Sequence, residues 1–189
     1  MPLRRLLLTL VAGASLAACS PSFHGVVLDP PDAAPPLALV DSTGAAYDLA
    51  AQRGAVVLIF FGYTHCPDVC PTTLADWAKV KRLLGDEAAD VRWLFASVDP
   101  DRDTPAVAQR YVAKFDRDFV GLSGSSAQVA AVMAAWKIAS VRDAGGTDSI
   151  YTVSHPSSVF VLDRDGRVRL LHRNGLPAAQ IAADIRALL

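Results

Sequence analysis

Short apolar runs and segments with helical spacing alternate along the chain. The range 55–61 is a continuous apolar run rich in β-branched and aromatic residues, and it predicts a strand that is buried on both faces of a central sheet. The mostly apolar range 91–98 predicts the next buried strand. A polar turn at 163–166 lies between two further apolar runs and predicts a hairpin near the end of the chain. A second hairpin is predicted at 37–49, where two short apolar segments flank Asp-Ser-Thr-Gly.

Apolar residues at helical spacing, together with helix start signals, predict four helices. The first covers 72–84, directly after a cysteine-containing loop. The pair Thr104–Pro105 and the capping box Ser125–Gln128 begin the next two, and 177–189 forms an amphipathic helix at the end. This order of elements is typical of an α/β, thioredoxin-like fold. We therefore expect a central mixed sheet flanked by helices, with an N-terminal β-hairpin.

Two cysteines share the loop between the first buried strand and the first helix. Cys66 and Cys70 are four positions apart, so a helical turn would bring both sulfur atoms to one face, with Cα atoms roughly 6 Å apart. That separation permits a disulfide, and it equally permits both thiolates to bind one soft metal ion. Pro71 favours a helix start, and the positive end of the helix dipole at Cys70 would lower the pKa of its thiol. The sequence thus predicts a reactive cysteine pair.

Three motifs resemble those of the Sco (SenC) family, a group of copper-binding thioredoxin-like proteins. The run 61–74, FGYTHCPDVCPTTL, is similar to the cysteine motif of that family, and 98–105, VDPDRDTP, is similar to its second motif. His155 is at the position of the third metal ligand of the family, with Ser154 in place of the aspartate that usually precedes it. The resemblance covers residues 37–172.

This resemblance implies a copper site and a role in the assembly of an oxidase. Cys66, Cys70 and His155 would bind copper as Cu(I) or Cu(II). From its place at the end of a predicted strand, we expect Asp99 to lie beside the site and orient it, with a role only in the turn before the next helix as the alternative. Asp103 is expected to be an acid near the start of that helix. Two thiolates and one imidazole are soft donors that suit copper, whereas structural zinc would need a fourth protein ligand. The protein would receive copper from a donor protein. It would then deliver copper or reducing equivalents to the binuclear copper centre of a haem-copper (cytochrome c) oxidase subunit.

A periplasmic thiol-disulfide oxidoreductase is the main alternative function. One cysteine of low pKa would attack a substrate disulfide and the other would resolve the mixed disulfide. The histidine and the long cysteine spacing favour the copper site, because a dedicated oxidoreductase needs no third ligand. A peroxide-reducing enzyme is a weaker alternative, since such enzymes use a single attacking cysteine in a Thr-x-x-Cys pattern that is not seen as a separate motif here.

The first residues have the pattern of a bacterial lipoprotein signal. Arg4 and Arg5 precede an apolar run, 6–16, that is too short to span a bilayer. The sequence Leu-Ala-Ala-Cys then ends at Cys19 in the pattern of a lipobox. We expect 1–18 to be removed as a signal peptide and Cys19 to be lipidated.

The location and partners of the protein follow from this signal. The stretch 19–36 contains five prolines and predicts a lipid-anchored, semi-rigid tether to a single copper-binding domain, 37–189. Export places the thiols in an oxidising compartment, so a dithiol reductant in the periplasm is expected. We expect the anchor to lie in the inner membrane, facing the periplasm, with the outer membrane as the alternative. A formal net charge of −1 provides no basic excess for binding nucleic acid.

Overall fold

The computed structural model describes residues 22–143 and 151–189. The predicted signal peptide, 1–18, and the predicted lipidation site, Cys19, lie outside the described residues. Within the two described ranges, no helix combines the length and the apolar character that crossing a bilayer requires.

A six-stranded mixed sheet forms the centre of the protein. The described part of the chain contains these strands and α-helices: β1 (Val26–Ala33), β2 (Val56–Gly62), α1 (Val69–Leu84), β3 (Val91–Ser97), α2 (Pro105–Val112), β4 (Val120–Leu122), α3 (Ser126–Ala135), β5 (Val141–Arg142), β6 (Val153–Ser154), β7 (Val159–Leu162), β8 (Arg167–His172) and α4 (Ala178–Arg186). The strand order is β1-β8-β7-β2-β3-β4, and β5 pairs with β6 separately. The pairs β2–β3 and β3–β4 are parallel, and the other pairs are antiparallel. The predicted thioredoxin-like α/β fold is confirmed.

Two consecutive aromatic residues of β2 are buried on opposite faces of the sheet. Phe60 contacts Trp77 of α1, with ring centroids 6.4 Å apart, whereas Phe61 contacts Trp136, directly after α3, at 5.6 Å. Successive side chains of a strand point to opposite faces, so α1 and the end of α3 cover opposite faces of the sheet. Every residue of β2 is buried, as its continuous apolar run predicts.

The start signals of two helices are confirmed, and α1 begins earlier than predicted. The Thr104 side chain accepts the N–H of Val107 at the start of α2, and Ser125 forms a capping box at the start of α3. Helix α1 begins at Val69, so Pro71 is its third residue. Proline is tolerated there because the first N–H groups of a helix have no intrahelical partner.

The predicted tether, 19–36, differs from the structure. Its residues Val26–Ala33 form β1, an edge strand that pairs antiparallel with β8. The prolines are tolerated because one side of an edge strand needs no N–H donors, and the register shifts between Val27 and Asp32. The folded domain therefore begins before residue 37.

A buried carboxylate holds the start of β1 in place. Asp184 of α4 accepts the N–H groups of His24 and Gly25 at 2.8 and 2.9 Å. Nε2 of the buried His172 lies 2.9 Å from the same carboxylate. Burial lowers the pKa of His172, although Asp184 opposes this shift. These contacts join the first described residues to the last helix.

The predicted hairpin at 37–49 is present only as isolated bridges. Val40 pairs with Ala46, and it also pairs with Ser123 directly after β4. The Asp41 carboxylate accepts the N–H groups of Thr43 and Ala45 at 2.8 and 3.3 Å. These side-chain hydrogen bonds stabilise a tight turn, and they take the place of the longer β-ladder that a hairpin would have.

Candidate metal centre

The loop between β2 and α1 brings the two predicted cysteines together. Cys66 is half-buried within the loop, whereas Cys70, the second residue of α1, is fully buried. The N–H of Cys70 donates to Sγ of Cys66 at 3.4 Å, and both cysteines are free thiols. The loop follows the carboxyl end of β2, the edge where open α/β sheets place their functional sites.

Gly62, the last residue of β2, leaves the space that the Cys70 sulfur occupies. A Cβ atom added at Gly62 would lie 2.7 Å from Cε2 of Phe95, 3.0 Å from Sγ of Cys70 and 3.1 Å from Cε1 of Phe60. These distances are too short for ordinary carbon contacts. The close approach of α1 to the end of β2 therefore requires glycine at this position.

Gly62→Ala is expected to displace the Cys70 side chain and to lower the free energy of unfolding by about 1–3 kcal/mol, because it overpacks a filled core. The matched control is Gly121→Ala on β4, where the added Cβ would overlap the backbone of Ala108. Denaturant titration should show a loss of stability in both variants. Only Gly62→Ala should change the reaction rate of Cys70 with a thiol reagent under native conditions, and an unchanged rate would contradict this role of Gly62.

His155 lies between β6 and β7, and its imidazole approaches Cys70, one of the two cysteines that it was predicted to face. Its Nε2 is 3.9 Å from Sγ of Cys70. Its Nδ1 is 2.9 Å from the carbonyl oxygen of Pro156, which can only accept, so Nδ1 carries the proton of the neutral ring. The lone pair of Nε2 is then directed at the sulfur. Burial lowers the pKa of His155 and favours the neutral, metal-binding form.

Ser154, which replaces the aspartate that is usual in the family, contacts Asp143. Its Oγ donates to the carboxylate of Asp143 at 3.3 Å. The His155 ring is instead held by the Pro156 carbonyl and by packing against Phe60 and Tyr63, with ring centroids at 6.1 and 5.8 Å. The imidazole is therefore oriented without the aspartate that is usual in the family.

The electrostatic environment of Cys70 contradicts the sequence prediction. Burial raises the pKa of the Cys70 thiol, and the neighbouring Cys66 and the charge of Asp103 add to the rise. A backbone hydrogen bond with Tyr63 opposes the shift without reversing it. The helix start is present, but the desolvation of a fully buried sulfur outweighs its dipole.

Asp99 and Asp103 differ in what they contact. Asp99, predicted beside the metal site, is buried and hydrogen-bonded to Arg102 and Tyr151. Asp103, expected only as an acid near the start of α2, binds the cysteine loop instead. Its carboxylate accepts the N–H and the hydroxyl of Thr64 at 2.9 and 2.5 Å. Both acids lie in the VDPDRDTP motif, but the sequence pattern did not distinguish their partners.

The three predicted ligands lie close together without forming a closed metal site. In the ranges 22–143 and 151–189, no group of three or more His, Cys, Asp or Glu side chains is already arranged to hold an ion. However, sulfur and imidazole nitrogen bound to one trigonal ion, with zinc-like bond lengths, would be about 3.7 Å apart. The 3.9 Å between Cys70 and His155 matches that span.

Comparison with known sequences identifies the family. The sequence model of the SCO1/SenC family matches residues 27–189, a range that begins within β1. The SCO2-like protein of Rickettsia prowazekii is 34% identical over 133 residues, which are 70% of this chain and 65% of the relative. This chain matches 56–65% of the length of each of the first curated relatives, so it spans less than two thirds of those proteins.

Solved structures agree with this assignment. Apo Sco1 from Thermus thermophilus is 34% identical, with a TM-score of 0.81, and the match covers 90% of this chain and 99% of that protein. ScoI from Bradyrhizobium japonicum, solved with copper bound, is 39% identical, with a TM-score of 0.73 and coverage of 80% and 96%. The chain therefore belongs to the SCO1/SenC family.

Proposed function

We propose that this protein binds one copper ion through Cys66, Cys70 and His155 and delivers it to a haem-copper oxidase. The observation that carries the proposal is the 3.9 Å approach of the unprotonated Nε2 of His155 to Sγ of Cys70. The copper-bound relative from Bradyrhizobium japonicum supports the choice of metal.

The chemistry of the donors favours copper over harder ions. Two thiolates and a neutral imidazole form a soft set that suits Cu(I), and an added ligand would complete a thiolate-type Cu(II) site. Because copper binds thiolates, its binding would displace the protons of Cys66 and Cys70. His155 already offers a lone pair and needs no deprotonation.

The exposure of the three ligands suits a protein that releases its metal. Cys66 and His155 are partly exposed, whereas Cys70 is fully buried. A receiving protein could replace the exposed ligands first, while Cys70 still holds the ion. The receiver that we propose is the binuclear copper centre of a cytochrome c oxidase subunit, with a separate copper donor and a periplasmic dithiol reductant as further partners.

We propose that the protein acts at the bacterial cell envelope. Removal of 1–18 and lipidation of Cys19 would attach it to the inner membrane, facing the periplasm, where an oxidase subunit is within reach. Residues 20–25 would then link the lipid to β1.

Thiol-disulfide exchange is the second candidate function. The contact between the Cys70 N–H and the Cys66 sulfur supports it, since the two free thiols are neighbours that a disulfide could join. The presence of His155 favours copper instead, because disulfide exchange has no use for a third ligand.

A transfer experiment separates these two functions. The copper-loaded protein is mixed with a reduced, metal-free, soluble copper-binding domain of an oxidase subunit, and copper is measured in each protein after chromatography. The proposal predicts that copper moves to the oxidase domain. In a parallel reaction, the metal-free reduced protein is mixed with the disulfide form of the same oxidase domain. Disulfide reduction there, with no copper transfer in the first reaction, would support the oxidoreductase instead.

A further inference from the structure

One short segment contacts both parts of the chain that carry the proposed ligands. This segment, Asp99–Asp103, follows β3 and lies between it and α2. At its end, Asp103 accepts hydrogen bonds from Thr64 of the cysteine loop and from Ser97 Oγ at 2.7 Å. Asp103 is completely buried, so these bonds are shielded from water. The segment thus fixes the cysteine loop to the end of β3.

The other end of the segment binds the chain just before His155. The Tyr151 hydroxyl donates to Asp99 at 2.5 Å. Arg102 donates from Nε to Asp99 at 2.6 Å and from Nη1 to the backbone oxygen of Tyr151 at 2.9 Å. The guanidinium also stacks on the Tyr151 ring, with its Cζ atom 3.5 Å from the centroid. Tyr151 is therefore held through its backbone, its ring and its hydroxyl.

Tyr63 connects this cluster to the imidazole. The Cζ atom of Arg102 is 5.6 Å from the centroid of the Tyr63 ring, and that ring packs edge-on against His155 at 5.8 Å. The arginine thus contacts the residue that flanks His155 in space and the segment that leads to it in sequence.

We propose that Arg102 is a positioning residue for His155, which sets the direction of the imidazole toward Cys70. This inference rests on the proposed copper site, because it explains how that site keeps its nitrogen ligand without the usual aspartate at position 154. Arg102 does not touch the metal ligands in the contacts described. It acts by holding Tyr151 and Tyr63, whose ring centroids lie 3.5 and 5.6 Å from its Cζ atom.

The role depends on the shape of the guanidinium as well as on its charge. Arginine presents a planar fork that can bind Asp99, donate to a carbonyl and stack on an aromatic ring at the same time, whereas lysine offers a single point charge. The side chains of Arg102 and Asp99 are 12% and 4% exposed, so solvent does little to screen the pair. Arg102→Lys therefore keeps the positive charge but removes the planar group that makes these three contacts at the same time.

The test is a double-mutant cycle on copper affinity with the whole protein. Arg102→Lys should weaken Cu(I) binding, measured by competition with a chromophoric Cu(I) chelator, about 10-fold or more, as loss of a partner that orients a metal ligand does. In a His155→Ala background, the same change should alter affinity less than about 2-fold, because the ligand that it positions is gone. Arg117→Lys, at a side chain that is 93% exposed, is the matched control. An equal loss in both backgrounds would overturn the proposal.

A measurement without copper keeps this inference separate from the proposed function. Nuclear magnetic resonance of the metal-free protein should show the wild-type His155 ring as the Nδ1–H tautomer, with contacts to Phe60 and Tyr63. In Arg102→Lys these contacts should weaken and both tautomers should appear. If the wild type binds no copper, the proposed function fails, and the tautomer comparison still decides the role of Arg102. An unchanged His155 signal in Arg102→Lys would overturn it.

A second variant covers the case in which Arg102→Lys does not fold. Tyr151→Phe removes only the hydroxyl that donates to Asp99 and keeps the ring on which Arg102 stacks. It should shift the His155 signals in the same direction as Arg102→Lys, by a smaller amount. A folded Tyr151→Phe protein with wild-type His155 signals and copper affinity would contradict the proposal.

Discussion

Replacement of either cysteine by serine, Cys66→Ser or Cys70→Ser, is expected to abolish tight copper binding. Each change removes one of two thiolates, and a hydroxyl is a poor ligand for a soft ion. The loss should exceed the roughly 10- to 100-fold weakening that follows removal of a hydrogen-bond partner of a ligand. Affinity is measured by competition with a Cu(I) chelator on the reduced protein.

The two cysteine variants should differ in stability. Cys70 is fully buried, so Cys70→Ser places a hydroxyl in an apolar site and should lower the free energy of unfolding by about 1–3 kcal/mol. Cys66 is half-buried, so Cys66→Ser should change stability little and is the cleaner test of the metal site. Thr72→Ser, at an exposed position of α1, is the control. Wild-type copper affinity in either cysteine variant would contradict the assignment of the ligands.

His155→Ala is expected to separate the copper site from the dithiol. The change removes the only nitrogen ligand in the proposed set and leaves both sulfur atoms in place. Copper affinity should fall about 10-fold or more, and the thiolate-to-Cu(II) charge-transfer absorption should weaken or shift. The rate at which the reduced protein reduces a model disulfide should stay within about 2-fold of wild type, because the histidine takes no part in thiol exchange.

The control for this change is the histidine of the cysteine loop, His65. His65 is 54% exposed, and its Nδ1 is bonded to the Thr64 hydroxyl at 3.1 Å. His65→Ala should leave both copper affinity and disulfide reduction close to wild type. If His155→Ala instead keeps its copper affinity and loses disulfide reduction, then His155 is an acid or base in thiol chemistry and the copper function is wrong.

The central strands and the proposed ligands could be predicted because each leaves a local pattern in the sequence. The buried strand β2 is a continuous apolar run, and Cys66 and Cys70 follow it in one loop. The approach of His155 to Cys70 joins residues that are 85 positions apart. It was predicted only from a motif resemblance and from the place of the segment in the fold.

Other features could not be predicted because they depend on burial and on distant partners. The stretch that contains Pro30 and Pro31 was predicted to be a tether, yet it forms the edge strand β1. It pairs with the edge of β8 that faces away from β7, and Asp184 accepts the N–H groups just before the strand. The pKa of Cys70 was predicted to be lowered by the helix start, and burial raises it. A sequence pattern reports the start of a helix, but not how much water reaches the sulfur.

The hydrogen-bond partners of the two acids in the VDPDRDTP motif could not be predicted for the same reason. Asp99 was expected beside the metal site, and the sequence did not show that it binds Arg102 and Tyr151, a residue that is 52 positions away. Asp103 was expected to serve the start of α2, but it is buried against Thr64 of the cysteine loop. Spacing within a motif could not show which neighbouring segment each carboxylate meets.

The most direct test of the proposed function is copper titration of the protein in its two redox states. The dithiol form and the disulfide form are prepared separately, and copper bound per chain is measured together with the ultraviolet and visible absorption. The dithiol form should bind one copper per chain and show thiolate charge-transfer bands, whereas the disulfide form should bind none, because a disulfide offers no thiolate. Equal copper binding by both forms, or none by the dithiol form, would contradict the proposed copper site.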